Sequence, residues 1–164
     1  MTEHRTNSGF TILELVLALG TLAFLGFFLI YSSTPRFVVS YDLDTAARTL
    51  VAELHYAQSL AQNTGFFHGF KIDTDKHYII YRQDDLGVKT IVESPHNQQP
   101  MSIDITQKHP GVLFKSETFP LEVVFKPNVG SPPAGGGLSI MLENTNGQHK
   151  QITITDVTGR IDIE

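Results

Sequence analysis

Several residues in this 164-residue chain have the types and spacing that chemistry needs. They are seven histidines, some close-set aspartates, a run of three glycines and one carboxylate inside a long apolar stretch. The histidines are His4, His55, His68, His77, His96, His109 and His149. No two have the H-E-x-x-H spacing that puts two imidazoles on one helix face around zinc. They read as scattered surface or turn residues. Asp73, Asp75, Asp84 and Asp85 could supply oxygen ligands, but they lack the spacing of a twelve-residue calcium loop. Two acidic hairpin turns explain them better. Gly135-Gly136-Gly137 is not followed by Lys-Ser/Thr and does not lead from a strand into a helix, so it is no phosphate cradle. Serine, histidine and aspartate are present without a G-x-S-x-G elbow. The absence of cysteine excludes disulfides, thiolate metal sites and thiol nucleophiles. The expectation is a non-enzymatic protein with no catalytic residue, no cofactor, no metal and no small-molecule substrate.

The remaining chemical feature is Glu14. It is the one strongly polar side chain between Phe10 and Tyr31, in FTILELVLALGTLAFLGFFLIY. As a helix this run is about 33 Å long, enough to cross a bilayer core. It has no polar face, unlike a helix at the surface of a soluble core. Thr11 and Thr21 can return their hydroxyls to the helix backbone. A secretory signal would need a basic start and a small-residue cleavage site after the apolar run. Here the leader MTEHRTNSG balances Arg5 with Glu3, and the small residue, Gly9, comes before the run. A carboxylate in a lipid-facing helix costs on the order of 2.5–3.5 kcal/mol at mid-bilayer, so it calls for a partner. A cut between Gly9 and Phe10 would create an α-amino group at position i for a carboxylate at i+4, on one helix face. That amine could belong to the same chain or to a neighbour, and across chains the pair would act as a register device.

The string Gly9-Phe10-Thr11-Ile12-Leu13-Glu14 resembles the type IV prepilin processing motif. The resemblance implies cleavage after Gly9 by a membrane prepilin peptidase, N-methylation of Phe10, and guidance of filament entry by Glu14, with Thr11 beside it. The leader is less basic than is usual in that family.

Farther along, Pro35 after Ser32-Ser33-Thr34 predicts a kink or an end to the first half of the helix. Helical periodicity resumes from Leu43 to Ala61, where Leu43, Ala47, Leu50, Leu54, Ala57 and Ala61 recur at steps of four and three. Asp42 and Asp44 suit its start, and Gly65 suits its stop. The opposite face, with Arg48, Glu53, Gln58 and Gln62, reads as solvated. Beyond Gly65 the period becomes two. Strands are predicted at Phe67–Ile72, Tyr78–Arg82, Lys89–Glu93, Ser102–Thr106, Val112–Lys115, Leu121–Lys126, Leu138–Glu143, Gln151–Thr155 and Arg160–Ile163. Asp73-Thr74-Asp75, Asp84–Gly87 and Asn146-Gly147 make hairpin corners, and the stretch 127–137, rich in proline and glycine, is a loop. Short turns imply an antiparallel sheet. The expected class is α+β, a long N-terminal helix packed on an antiparallel β-sheet head.

That order of elements is similar to a pilin. TAARTLVAELHYAQSLAQNTG, LEVVFKPNVG and ITITDVTGRIDI resemble segments of the minor pseudopilin H and FimT branch. The implied organisation is a leader at 1–9, a transmembrane and filament-core helix at 10–34, and a periplasmic head at 35–164. The implied role is a minor pseudopilin of a type II secretion system, single-pass in the inner membrane, with prepilin peptidase, other pseudopilins and membrane lipid as partners. A minor pilin of a type IV or DNA-uptake pilus is the alternative. Net charge is −5, and the tail Ile161-Asp162-Ile163-Glu164 surrounds Arg160 with carboxylates. Nucleic-acid contact needs clustered positive charge, so the tail argues against it. Lys71, Lys76, Arg82 and Lys89 read as ordinary strand residues rather than a basic patch.

Overall fold

Why these elements form is clearest at the helix. A computed structural model describes residues 11–95, 97–133 and 135–164, with the side chains at 30–41 outside that description. Helix α1 covers Ile12–Thr64. The chain divides into two compact units between Phe37 and Val38.

In the first unit Thr11 starts the helix. Its hydroxyl accepts from the backbone N–H of Glu14 at 3.3 Å, and its carbonyl accepts from Leu15 N–H at 3.1 Å. Thr-x-x-Glu is the capping-box pattern, and the threonine half of it is formed here. Thr21 donates its hydroxyl to the Ala18 carbonyl at 2.9 Å, which satisfies it without a polar neighbour. The window Ile12–Leu29 has a mean hydropathy of 2.3 and none of it is buried. Of the kink or end expected at Pro35, the end is absent, because helical residues run through it. One missing N–H removes a single backbone bond, and the bonds on either side persist.

In the second unit the expected apolar stripe is buried: Leu43, Ala47, Leu50, Leu54, Ala57 and Ala61 are all inaccessible or nearly so. The alanines leave little bulk between the helix backbone and the strands it packs on. Gly65 ends the helix at φ 73°, a left-handed stop that suits glycine.

Among the described residues the head holds nine strands. They are β1 (Phe67–Ile72), β2 (His77–Gln83), β3 (Lys89–Ile91), β4 (Ser102–Asp104), β5 (Val112–Lys115), β6 (Leu121–Phe125), β7 (Leu138–Asn144), β8 (His149–Ile154) and β9 (Ile161–Ile163). Every strand pairing is antiparallel, but they build two sheets rather than one. The first has the order β3-β2-β1-β6 with β4 also on β2, and the second has the order β5-β7-β8-β9. Phe70, Ile80 and Phe125 from the first sheet and Phe114, Ile140 and Ile152 from the second share one core with Leu50 and Leu54. Phe70 stacks on Tyr78 at 5.0 Å, and Tyr78 meets Phe114 edge-on at 5.7 Å, so aromatic rings join the two sheets.

Two predicted strands are cut short: Lys89–Glu93 ends at Ile91, and Ser102–Thr106 ends at Asp104. Ile105–Lys108 forms a single helical turn, α2, so Thr106 is helical. Asp104 is the cause: its carboxylate accepts from Thr106 N–H at 2.9 Å and from Thr106 Oγ1 at 2.6 Å. An N-cap outweighs a short alternating pattern.

Candidate functional site

The prepilin-like processing positions, Gly9 and Phe10, lie outside the described residues. Thr11 and Glu14 are described, and both are exposed on a helix whose aliphatic neighbours, Ile12 and Leu13, are 84% and 73% exposed. The cap uses the backbone of Glu14, so its carboxylate is not needed to start the helix.

The three head segments that carry the family likeness meet at one place. Gln58, on α1, has two amide N–H donors. One reaches the Gly130 carbonyl at 2.8 Å and the other the Gly159 carbonyl at 3.0 Å. One turn later Gln62 donates to the Val129 carbonyl at 3.2 Å. The backbone N–H of Asn128 in turn donates to the Ala61 carbonyl at 3.0 Å, filling one of the helix's end acceptors. The helix thus latches the turn after β6 to the turn before β9. Gly130 and Gly159 are needed there. Both have positive φ, and a Cβ would lie 2.5 Å from Gln62 Nε2 at Gly130 and 2.8 Å from Gln58 Nε2 at Gly159. Val157, at φ 65°, is in a conformation costly for a β-branched residue, so the bonds around it set the shape of that turn.

The face read as solvated is therefore only partly so. Arg48 stays exposed with Asp44 at 2.8 Å. Glu53 is engaged: it accepts from the buried Tyr78 hydroxyl and pairs with Lys108 at 3.1 Å. Burial, with Glu53 beside it, pushes the Tyr78 phenol far above its usual range. Replacing Gln58 by alanine strands two carbonyls, and the expected cost is roughly 1–3 kcal/mol. Gln58→Glu should cost more, because it sets a carboxylate against those carbonyls. Urea unfolding of both variants checks the order.

The histidines are not all on the surface. His68 and His109 are buried, at 2% and 8% exposure, and burial lowers the pKa of each. His4 and His96 lie outside the described residues. Among the described residues no three His, Asp or Glu side chains converge as a metal site would require.

One triad-like row was not legible in the sequence, since β2 and β4 bring it together. Ser102 Oγ lies 2.8 Å from His77 Nε2, and Asp73 lies 3.7 Å from His77 Nδ1. Lys71 holds Asp73 at 2.6 Å. The backbone N–H of Ser102 is bonded to the Pro100 carbonyl at 2.8 Å, so it is not open to an oxyanion. The row is a cross-strand hydrogen-bonding cluster in this form.

Nor do Lys71 and Lys89 form a basic patch among the described residues. Lys71 and Lys89 each hold a carboxylate, Lys89 reaching Glu122 at 2.6 Å beside the Tyr81 hydroxyl. Burial works to raise the Glu122 pKa, but these two donors outweigh it and the net shift is downward. At the C-terminal turn Arg160 is held by Asp162 at 2.9 Å.

The capped apolar helix followed by antiparallel sheets is a pilin-like fold of the α+β class. Two solved structures resemble it. One is the minor pseudopilin EpsH from the type 2 secretion system of Vibrio cholerae, 10% identical, covering 75% of this chain and 96% of that one at a TM-score of 0.56. The other is the type IV minor pilin FimU of Pseudomonas aeruginosa, 22% identical, covering 74% and 92% at a TM-score of 0.49. No protein-family model and no curated protein sequence matches the chain.

Proposed function

We propose that this protein is a non-enzymatic minor subunit of a pilin-like filament, of the type II secretion pseudopilus rather than a pilus. The observation that carries the reading is a fully exposed apolar helix with one carboxylate near its start. Such a helix is stable only in lipid or against the same helix of other subunits. In the proposed course the leader at 1–9 is removed by prepilin peptidase and Phe10 is methylated. The helix is stored in the inner membrane, at 10–34, with the head from 35 onward in the periplasm. Glu14 then pairs with the N-terminal amine of a neighbouring subunit. This converts the cost of a carboxylate in lipid into a preference for one axial stagger, and Thr11 keeps the helix start rigid beside it.

One observation favours secretion over DNA uptake: the Arg160–Asp162 pair leaves the C-terminal turn without net positive charge for phosphate. Deleting the gene is the test. Loss of type II secretion with intact twitching and DNA uptake supports the reading, and the reverse pattern assigns the protein to a pilus.

A further inference from the structure

The first sheet carries a cross-strand row that passes out from under the helix. Register places Phe125, His68, Arg82 and Thr90 side by side on four strands. Phe125 and His68 are buried, whereas Arg82 and Thr90 are exposed. A groove of about 530 Å³ lies there, lined by Leu60 of α1, by Phe66, His68 and Arg82, and by Ile91 and Glu93 on the β3 side.

Three features of it are unspent. Arg82 sits 4.8 Å over the Phe66 ring, and among the described residues no carboxylate forms an ion pair with it. Lys71, Lys89 and Arg160 do each hold one. His68 is 2% exposed; its Nδ1 lies 3.2 Å from the Phe66 carbonyl, and its Nε2 has no partner among the described residues. With Nδ1–H donating, Nε2 is left as an acceptor. Burial, which holds the ring neutral, agrees with that assignment. Finally, β3 is the exposed edge of its sheet, and such an edge leaves backbone groups open for pairing.

A fixed guanidinium and an open strand edge beside apolar walls complement one chemistry. We propose that this groove binds an extended segment of a partner polypeptide in which a carboxylate side chain stands beside an aliphatic one. The segment adds to β3, its carboxylate takes Arg82, and its aliphatic side chain packs on Leu60, Phe66 and Ile91. Glu93 disfavours segments that are acidic throughout. The site lies within the head and does not depend on the filament reading.

The test is an NMR titration of the full chain in detergent micelles with acetyl-Val-Glu-Leu-Val-amide, with its Gln counterpart, and with acetate alone. Shifts should map to His68, Arg82 and residues 89–93, and the Glu peptide should bind roughly tenfold more tightly than the Gln peptide. Arg82→Gln, on an exposed side chain, should abolish that preference while lowering the thermal midpoint by no more than a few degrees, from loss of the Phe66 contact. Any of four results would overturn the proposal: no shifts at millimolar peptide, equal affinity for the two peptides, acetate competing as well as peptide, or self-association of the free protein that Arg82→Gln abolishes.

Discussion

Replacing Glu14 by alanine is expected to leave the protein in the membrane at normal levels and to remove it from the filament. Thr11 caps the helix through the backbone N–H of residue 14, and alanine retains that N–H. The helix therefore still forms, and losing a charge makes lipid insertion easier. What disappears, in the proposed assembly, is the partner for the neighbour's N-terminal amine. Removing one member of a buried ion pair costs roughly 3–5 kcal/mol, because the other charge is left uncompensated. At 1.4 kcal/mol per factor of ten, that is a loss of about two orders of magnitude or more in incorporation. Glu14→Gln should behave like alanine, since it keeps the shape without the charge. Thr11→Ala should act differently, fraying the helix start at a cost of about 0.5–2 kcal/mol. Quantifying each variant in sheared filaments against its membrane pool separates the two roles. Normal incorporation of Glu14→Ala would remove the ion pair from the mechanism.

The largest stability effect is expected at Phe70. Its side chain is fully buried between helix and sheet and stacks on Tyr78 at 5.0 Å. Tyr78 is in turn fixed by Glu53 and by the edge of Phe114, so the site has little freedom to collapse. Phe70→Ala should therefore cost about 3–5 kcal/mol, a large part of a typical domain's 5–15 kcal/mol. Leu86, 89% exposed at the tip of the β2–β3 hairpin, is the matched control. Leu86→Ala should change stability by less than about 0.5 kcal/mol. Urea unfolding of the full chain in detergent measures both. Comparable losses at the two positions would mean that the core is not centred on this aromatic cluster.

The local rules served well where one element decides the outcome. The spacing of Leu43, Ala47, Leu50, Leu54, Ala57 and Ala61 identifies the buried stripe, because a helix face follows from periodicity alone. Alternation and turn chemistry locate the nine described strands to within two residues at every end. Long-range closure was not legible. Gln58 lies 72 residues from Gly130 and 101 from Gly159, so no local pattern distinguishes its amide from a solvated one. The split into two sheets likewise depends on which strands meet across the core. The row Asp73–His77–Ser102 and the pairing of His68 with Arg82 arise only from strand register. Thr106 shows a different failure, in which one capping carboxylate overrides a strand pattern. A signal for the helix start was present in Thr11-x-x-Glu14, whose spacing alone carries the cap.

The central claim, a processed filament subunit, turns on one bond. Intact-mass and N-terminal peptide mass spectrometry of the protein from native membranes tests it directly. The expected result is a chain that begins at Phe10 and carries one N-methyl group. An uncut leader, or a cut after residue 31, would contradict it.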